Sequence, residues 1–410
     1  MTLSRIGRIS MALVVSVAMG LGMTSCGGGT IGFMWVLGTQ YNQIGGFKID
    51  DFTGNLTGTV GSPYPSGGTN PIMLALKSGG RYLYVLNSGD STGTTGNFSL
   101  FSVGGDGTLS FQQSYTSIQG TFPVWITTDT TGNYLFVLSQ RAPDYDGVTD
   151  FNGSITAFSL DANTGRPSLI TNAQVKNAAG TQLTYFEVGN KPTQMRNSAS
   201  CIYTLDSGDQ TIFPYALGTT TGQLTQPTNS AIALNTSNAT SVNIGGSYVY
   251  VTDAGSTVGG TGTINAYTQG SSCALSPVGG GGGTTANLPS ASYPIQTIST
   301  SDGKYVYVLN HSTSNTNYAN SSISAYTIQG AGLLQQISDT NNPYSVGSGP
   351  VCMAIDPTNQ YLYTSDQFSS TVTGKRLSAQ YGYLLALSRG SSFPTVGTPS
   401  CLVISGNTGQ

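Results

Sequence analysis

The chain has 410 residues, of which 8% are charged and 56 are glycine, and a net charge of −3; ordinary globular proteins carry about 25% charge and about 7% glycine. A hydrophobic content of 38% supplies a large core and excludes wholesale disorder and collagen-like repetition. Fourteen basic against seventeen acidic residues, with no Lys/Arg cluster, leave no surface to track a phosphate backbone, so nucleic acid is not an expected partner.

Arg5 and Arg8 precede an apolar run from Ile9 to about Met23, and small residues and Cys26 follow it, the layout of a secretory signal. The run is too short and too glycine-broken to favour a permanent membrane span. Met23-Thr24-Ser25-Cys26 resembles a bacterial lipobox, whose cysteine is acylated and becomes the mature N-terminus. The segment therefore predicts a signal peptide over 1–25, a lipidated Cys26, and a flexible tether through Gly27, Gly28 and Gly29 over 26–30. An ordinary signal peptide with a chance cysteine is the competing reading. Several acyl chains on Cys26 would anchor the protein stably to a membrane, placing it in the bacterial envelope on the periplasmic side or at the cell surface.

The next signal is a repeat. One hexapeptide recurs seven times, starting at Phe33, Tyr82, Tyr134, Cys201, Tyr248, Tyr305 and Tyr361, with an aromatic third residue each time: Trp35, Tyr84, Phe136, Tyr203, Tyr250, Tyr307 and Tyr363. β-Branched and aromatic residues ending in turn formers make each copy a strand. About eleven residues earlier stands a Pro with an apolar run, at Pro71, Pro123, Pro192, Pro294 and Pro350. An alternating segment follows each copy, then a turn and a G-x-L-like strand start at Gly54, Gly107, Gly165, Gly222, Gly332 and Gly382, with Cys273 in the glycine's place in the fifth repeat.

Four strands per repeat, seven times over, predict an all-β, seven-bladed β-propeller spanning 31–410. The chain starts at a second strand, and Pro399-Ser400-Cys401-Leu402-Val403-Ile404 reads as an unattached first strand. Pairing the last strand into the first blade closes the ring and removes two open β edges, which also leaves no evident edge for strand-mediated dimers and favours a monomer.

GGRYLYVLN from Gly79, SDGKYVYVLN from Ser301, DPTNQYLYTSD from Asp356 and LDANTGRP from Leu160 resemble the YVTN-type units of the lactonase-like seven-bladed propellers, the group that contains 6-phosphogluconolactonase-like proteins. The resemblance covers the mature chain and implies the fold; its carriers are scaffold residues and transmit no activity. In such propellers the residue two places after the Pro faces the channel mouth, where catalytic members tend to carry His and charged groups. Here those positions hold Met73, Trp125, Gln194, Gln296, Cys352 and Cys401, with Ser241 in the blade lacking Pro, so the pore is expected to be walled by uncharged side chains.

Opening a lactone needs an activated water, hence a base or a metal. The one histidine, His311, and Glu187 both lie on loop-face connections, from which no catalytic residue is assigned. The second strands end in polar residues on that same face, among them Asp206, Asp253 and Asp366, which either surround a sugar or cation or simply begin turns. Arg141, Asp144, Asp146 and Asp150 crowd one loop, but their spacing misses the calcium-loop pattern, and neither metal nor cofactor is expected.

Setting Cys26 aside leaves four cysteines and three possible pairings. Cys352 and Cys401 occupy matching positions on neighbouring first strands, whereas Cys201 and Cys273 sit at the opposite face. Bridged Cα atoms lie within about 7 Å, so the expected bonds are Cys352–Cys401 and Cys201–Cys273, free buried thiols being the alternative. The leading functional expectation is a lipid-anchored binding or interaction scaffold taking a protein or glycan partner, with Trp125, Arg141, Gln194, Asp206, Asp253, Gln296, His311 and Asp366 as candidate ligand contacts. The alternative is a lactonase-like hydrolase whose groups come from loops holding Arg141, Asp144, Glu187 and His311.

Overall fold

The computed structural model describes residues 29–227, 231–256, 262–279, 283–288, 293–312 and 318–406. The proposed signal and lipidation segment lies outside the described residues. Seven antiparallel sheets follow one another along the chain, and every hexapeptide forms the second strand of its sheet, as in Tyr82–Asn87 and Tyr305–His311. In blade 2, Pro71–Leu76, Tyr82–Asn87, Asn97–Val103 and Leu109–Tyr115 run from inner to outer edge by sequential hairpin pairing.

The ring closes as expected. The last strand, Pro399–Gly406, pairs with Thr30–Gly38, setting Trp35 opposite Val403 and Met34 opposite Ile404, and so becomes the inner strand of blade 1. Cys352–Cys401 links the inner strand of blade 7 to that closing strand, and Cys201–Cys273 links blades 4 and 5.

Every blade has the expected path of four strands, and in six of the seven a fifth, short strand is added at the outer edge. In blade 2 the outer strand is seven residues long and pairs with the third strand from Phe98 to Val103. In the other blades it is cut short, and a second short strand fills the vacated half: Pro167–Leu169 covers one end of Asn152–Leu160, and Phe186–Asn190 covers the other. The outer edge is thus completed by two pieces, leaving room for the excursion between them.

Apolar side chains gather between blades, giving a core in seven portions. One joins Phe33 and Trp35 of blade 1 to Leu83 and Leu109 of blade 2, and another joins Tyr361 and Tyr363 of blade 7 to Val36 and Ile49 of blade 1.

A recurring latch explains the repeat. The first aromatic of the hexapeptide packs against the turn glycine of the next blade: a methyl group at Gly54 would lie 2.4 Å from the Tyr361 ring, and one at Gly332 2.4 Å from that of Tyr248. Those glycines have φ of +70° and +79°, a left-handed backbone that other residues adopt at a cost. The third aromatic then donates to that same glycine's carbonyl: Tyr84 to Gly165 at 2.6 Å, Tyr250 to Gly332 at 3.2 Å, Tyr307 to Gly382 at 2.9 Å, Tyr363 to Gly54 at 2.6 Å, and the Trp35 indole to Gly107 at 3.2 Å. Phe136 has no hydroxyl to give. At the junction of blades 4 and 5 the device is replaced: Cys201 stands for the first aromatic, Cys273, with φ +66°, stands for the glycine, the two are disulfide-bonded, and the Tyr203 hydroxyl is buried without a partner.

Candidate functional site: the central channel and the loop face

The inner strands line the channel with their starts at the loop face, since Pro192 pairs with Asp206, the last residue of a second strand. The candidate glutamines there are occupied by the scaffold. Gln194 donates to the carbonyls of Thr240 (3.1 Å) and Ile295 (3.2 Å) and accepts from the Val242 amide (3.2 Å), bracing three blades. Gln296 accepts from the Met353 amide and braces a fourth.

The acidic strand ends are tied down too. Asp253 caps its loop by accepting from the amides of Ser237 (3.0 Å), Asn238 (2.8 Å) and Gly255 (2.9 Å). Asp366 is fully buried and accepts from the hydroxyls of Thr364 (2.8 Å) and Thr373 (2.6 Å); burial outweighs these bonds and pushes its carboxyl up to about 6. Asp206, equally buried, accepts from the Thr204 hydroxyl at 3.1 Å while its Oδ1 has no partner, and burial pushes it up to about 8.

His311 and Glu187 are not brought together. The His311 ring bonds the Pro350 carbonyl through Nε2 and faces Tyr318, which in turn packs against the exposed Phe368; burial lowers its basicity. Arg141 is exposed and clasped between Phe122 (4.2 Å) and Tyr145 (4.8 Å) rather than by the neighbouring aspartates. Asp146 folds back on its own loop, accepting from the amides of Val148, Thr149 and Asp150, each at 2.8 Å. Among the described residues no group of three or more His, Cys, Asp or Glu is placed to hold a metal ion.

Two cavities stand out. The first, of about 420 Å³, opens between blades 3 and 4 and is lined by Asn152, Asn172, Glu187, Asp209, Thr211 and Gln226 beside the rings of Phe213 and Tyr215. Partial burial, followed by the negative charge of Asp144 and Asp150, raises the Glu187 carboxyl above the ordinary range. The Tyr215 hydroxyl fixes this stretch by donating to the Glu187 carbonyl at 2.6 Å. Glu187 was legible as the one glutamate of the chain, but its aromatic surroundings come from blade 4, 26 to 28 residues further along, and carry no local sequence signal.

The second cavity, of about 380 Å³, lies in the channel itself. It corrects the expectation of an uncharged wall: Arg196 lines it, with its guanidinium 4.2 Å over the Trp125 ring. Arg196 lies four residues after Pro192 in the inner strand Pro192–Asn197. Sequence reasoning that weighed only the second residue after each Pro passed over it.

The family described as "Lactonase, 7-bladed beta-propeller" matches residues 34–404. No curated protein matches the chain. Among solved structures, a putative 6-phosphogluconolactonase from Bacteroides fragilis superposes with a TM-score of 0.65 at 17% identity, covering 91% of this chain and 98% of that one. The periplasmic gluconolactonase of Pseudomonas aeruginosa gives 0.65 at 16% identity over 91% and 98%. A protein from Lactobacillus plantarum gives 0.66 at 15% identity over 92% and 99%. At these identities the likeness is one of fold.

Proposed function

The chain belongs to the lactonase family of seven-bladed β-propellers, and on that premise we propose that it binds a small hydroxylated ligand, of the sugar or sugar-lactone class, in the cavity between blades 3 and 4. The observation that carries this reading is the cavity's lining. Amide and carboxyl groups of Asn152, Asn172, Glu187 and Asp209 stand beside the aromatic faces of Phe213 and Tyr215. Sugars present that pairing, hydroxyls for the polar groups and C–H faces for the rings.

Glu187 supports a second reading, hydrolysis. A carboxylate with raised proton affinity is suited to take a proton from water. The water oxygen would bond to the lactone carbonyl carbon, the ring C–O bond would break, and the proton on Glu187 would pass to the departing alkoxide, leaving a hydroxy acid. Titration calorimetry with δ-gluconolactone and with its reduced polyol glucitol, alongside a hydrolysis assay, separates the readings. Binding without turnover marks a binding module, and turnover lost in Glu187→Gln marks a hydrolase. Absence of both binding and turnover overturns the proposal.

We further propose that the protein is a lipid-anchored component of the bacterial envelope held through Cys26. Two disulfides, Cys201–Cys273 and Cys352–Cys401, suit an oxidising compartment. Among the described residues no helix is long and apolar enough to cross a membrane. Detergent partitioning of the expressed protein against Cys26→Ser tests the anchor.

A further inference from the structure

We propose that the channel holds a second site, distinct from the loop-face cavity, that binds a small oxyanion through Arg196, with the Asn243–Ser299 pair at its side. The site sits toward the end of the channel away from the loop face, because Arg196 pairs in register with Tyr203, near the start of a second strand, whereas Pro192 meets Asp206 at its end.

The reasoning starts from an uncompensated charge. A guanidinium has five donors in a fixed fork, and Arg196 spends one of them, at 3.2 Å, on the carbonyl of Met195. Among the described residues the only salt bridge joins Lys304 to Asp302, and of the residues lining this cavity only Arg196 is ionisable, Cys352 and Cys401 being disulfide-bonded. Enclosure by protein lowers the arginine's proton affinity, down to about 10, and leaves it a cation at neutral pH. The Trp125 ring beneath it offers a cation–π contact, which holds the guanidinium plane without consuming its N–H groups.

A half-buried cation with no anionic neighbour, held against the channel wall, presents its free N–H groups to a bound anion. Beside it the Asn243 side-chain amide donates to the Ser299 hydroxyl at 2.6 Å, which leaves the serine proton to be donated onward. Both residues line the same cavity. Its volume equals that of about a dozen liquid waters, room for an oxyanion carried on a short organic stem. The chemistry recognised is a carboxylate or phosphate whose oxygens match the guanidinium fork.

The test uses the chain's own reporter. There are two tryptophans; Trp35 is sealed in the core and bonded to Gly107, while Trp125 touches Arg196. Tryptophan emission is followed while inorganic phosphate, acetate or gluconate replaces chloride at constant ionic strength. The expected result is a saturable change with at least one of these oxyanions, kept in Trp35→Phe. Affinity should fall at least tenfold in Arg196→Gln and less in Arg196→Lys, which retains the charge and loses the fork. Response to phosphate alone or to the carboxylates alone identifies the source of the oxyanion. A folded wild-type protein with no saturable response, or a folded Arg196→Gln that binds as tightly as wild type, overturns the proposal. Should Arg196→Gln fail to fold, the Lys variant decides in its place: unchanged affinity there overturns the guanidinium's role. Glu187→Gln should leave this titration unchanged, so it stands or falls apart from the loop-face reading.

Discussion

Replacing the disulfide between blades 4 and 5 with the latch used elsewhere should nearly restore stability. Cys201–Cys273 closes a segment of 72 residues, which in the chain-entropy account corresponds to about 4 kcal/mol. Cys201→Tyr with Cys273→Gly would lay a ring on a glycine, as Tyr305 lies on Gly382, for about 2 to 3 kcal/mol of apolar burial. It would also offer the Tyr203 hydroxyl, now buried and unpartnered, a glycine carbonyl, for about 1 kcal/mol. Urea unfolding without reductant should therefore place this double variant within about 1 kcal/mol of wild type, and Cys201→Ser with Cys273→Ser about 4 kcal/mol below it. A companion comparison isolates the hydroxyl. Tyr203→Phe should be neutral or slightly stabilising, whereas Tyr307→Phe, which strands the Gly382 carbonyl, should cost about 1 to 2 kcal/mol. If the Tyr/Gly pair proves no more stable than the Ser/Ser pair, or Tyr203→Phe costs as much as Tyr307→Phe, the latch is not what joins the blades.

Asp206 is raised from 3.8 to about 8 in the folded chain, so between those values the folded state holds a proton that the unfolded state releases. Its contribution is complete below about 4 and lost as pH climbs toward 8, each unit of displacement being about 1.4 kcal/mol. Unfolding midpoints should fall across that window, and Asp206→Asn should flatten the fall; an unchanged slope would refute the assignment. Gly332→Ala would press a methyl 2.4 Å from the Tyr248 ring at positive φ. By chemical denaturation it should lose more than about 2 kcal/mol, against about 1 kcal/mol for Gly303→Ala, where φ is also positive but nothing lies within 4 Å. Cys352→Ala with Cys401→Ala should lower stability and raise protease cleavage in the closing strand Pro399–Gly406, read by mass spectrometry of the nicked products.

Seven copies of an aromatic hexapeptide specified the second strands, the blade count and the closing strand, because a strand pattern with fixed punctuation is written locally. The cysteine pairs followed from repeat register alone. The split outer strands did not, since Tyr64–Pro65 or Ile232–Ala233 are too short to show a period. The sites were less legible still. Polar residues such as Asp253 and Asp366, conspicuous in sequence, bond their own loops and strands. Arg196 in the channel and the rings beside Glu187 become neighbours of their sites only when separate strands and blades are brought side by side.

Outside the seam between blades 4 and 5, each first aromatic finds its glycine in the following repeat and never in its own, so what is duplicated around the circle is a joint rather than a tile. A stretch copied whole, from one turn glycine to just before the next, would arrive carrying half of each of its two seams and would mate with either neighbour. Adding or losing such a stretch keeps every seam satisfied and changes only the circumference. Seams four-to-five and seven-to-one are the exceptions, because their sulfur bonds recognise one particular neighbour, and there the order of the units is fixed.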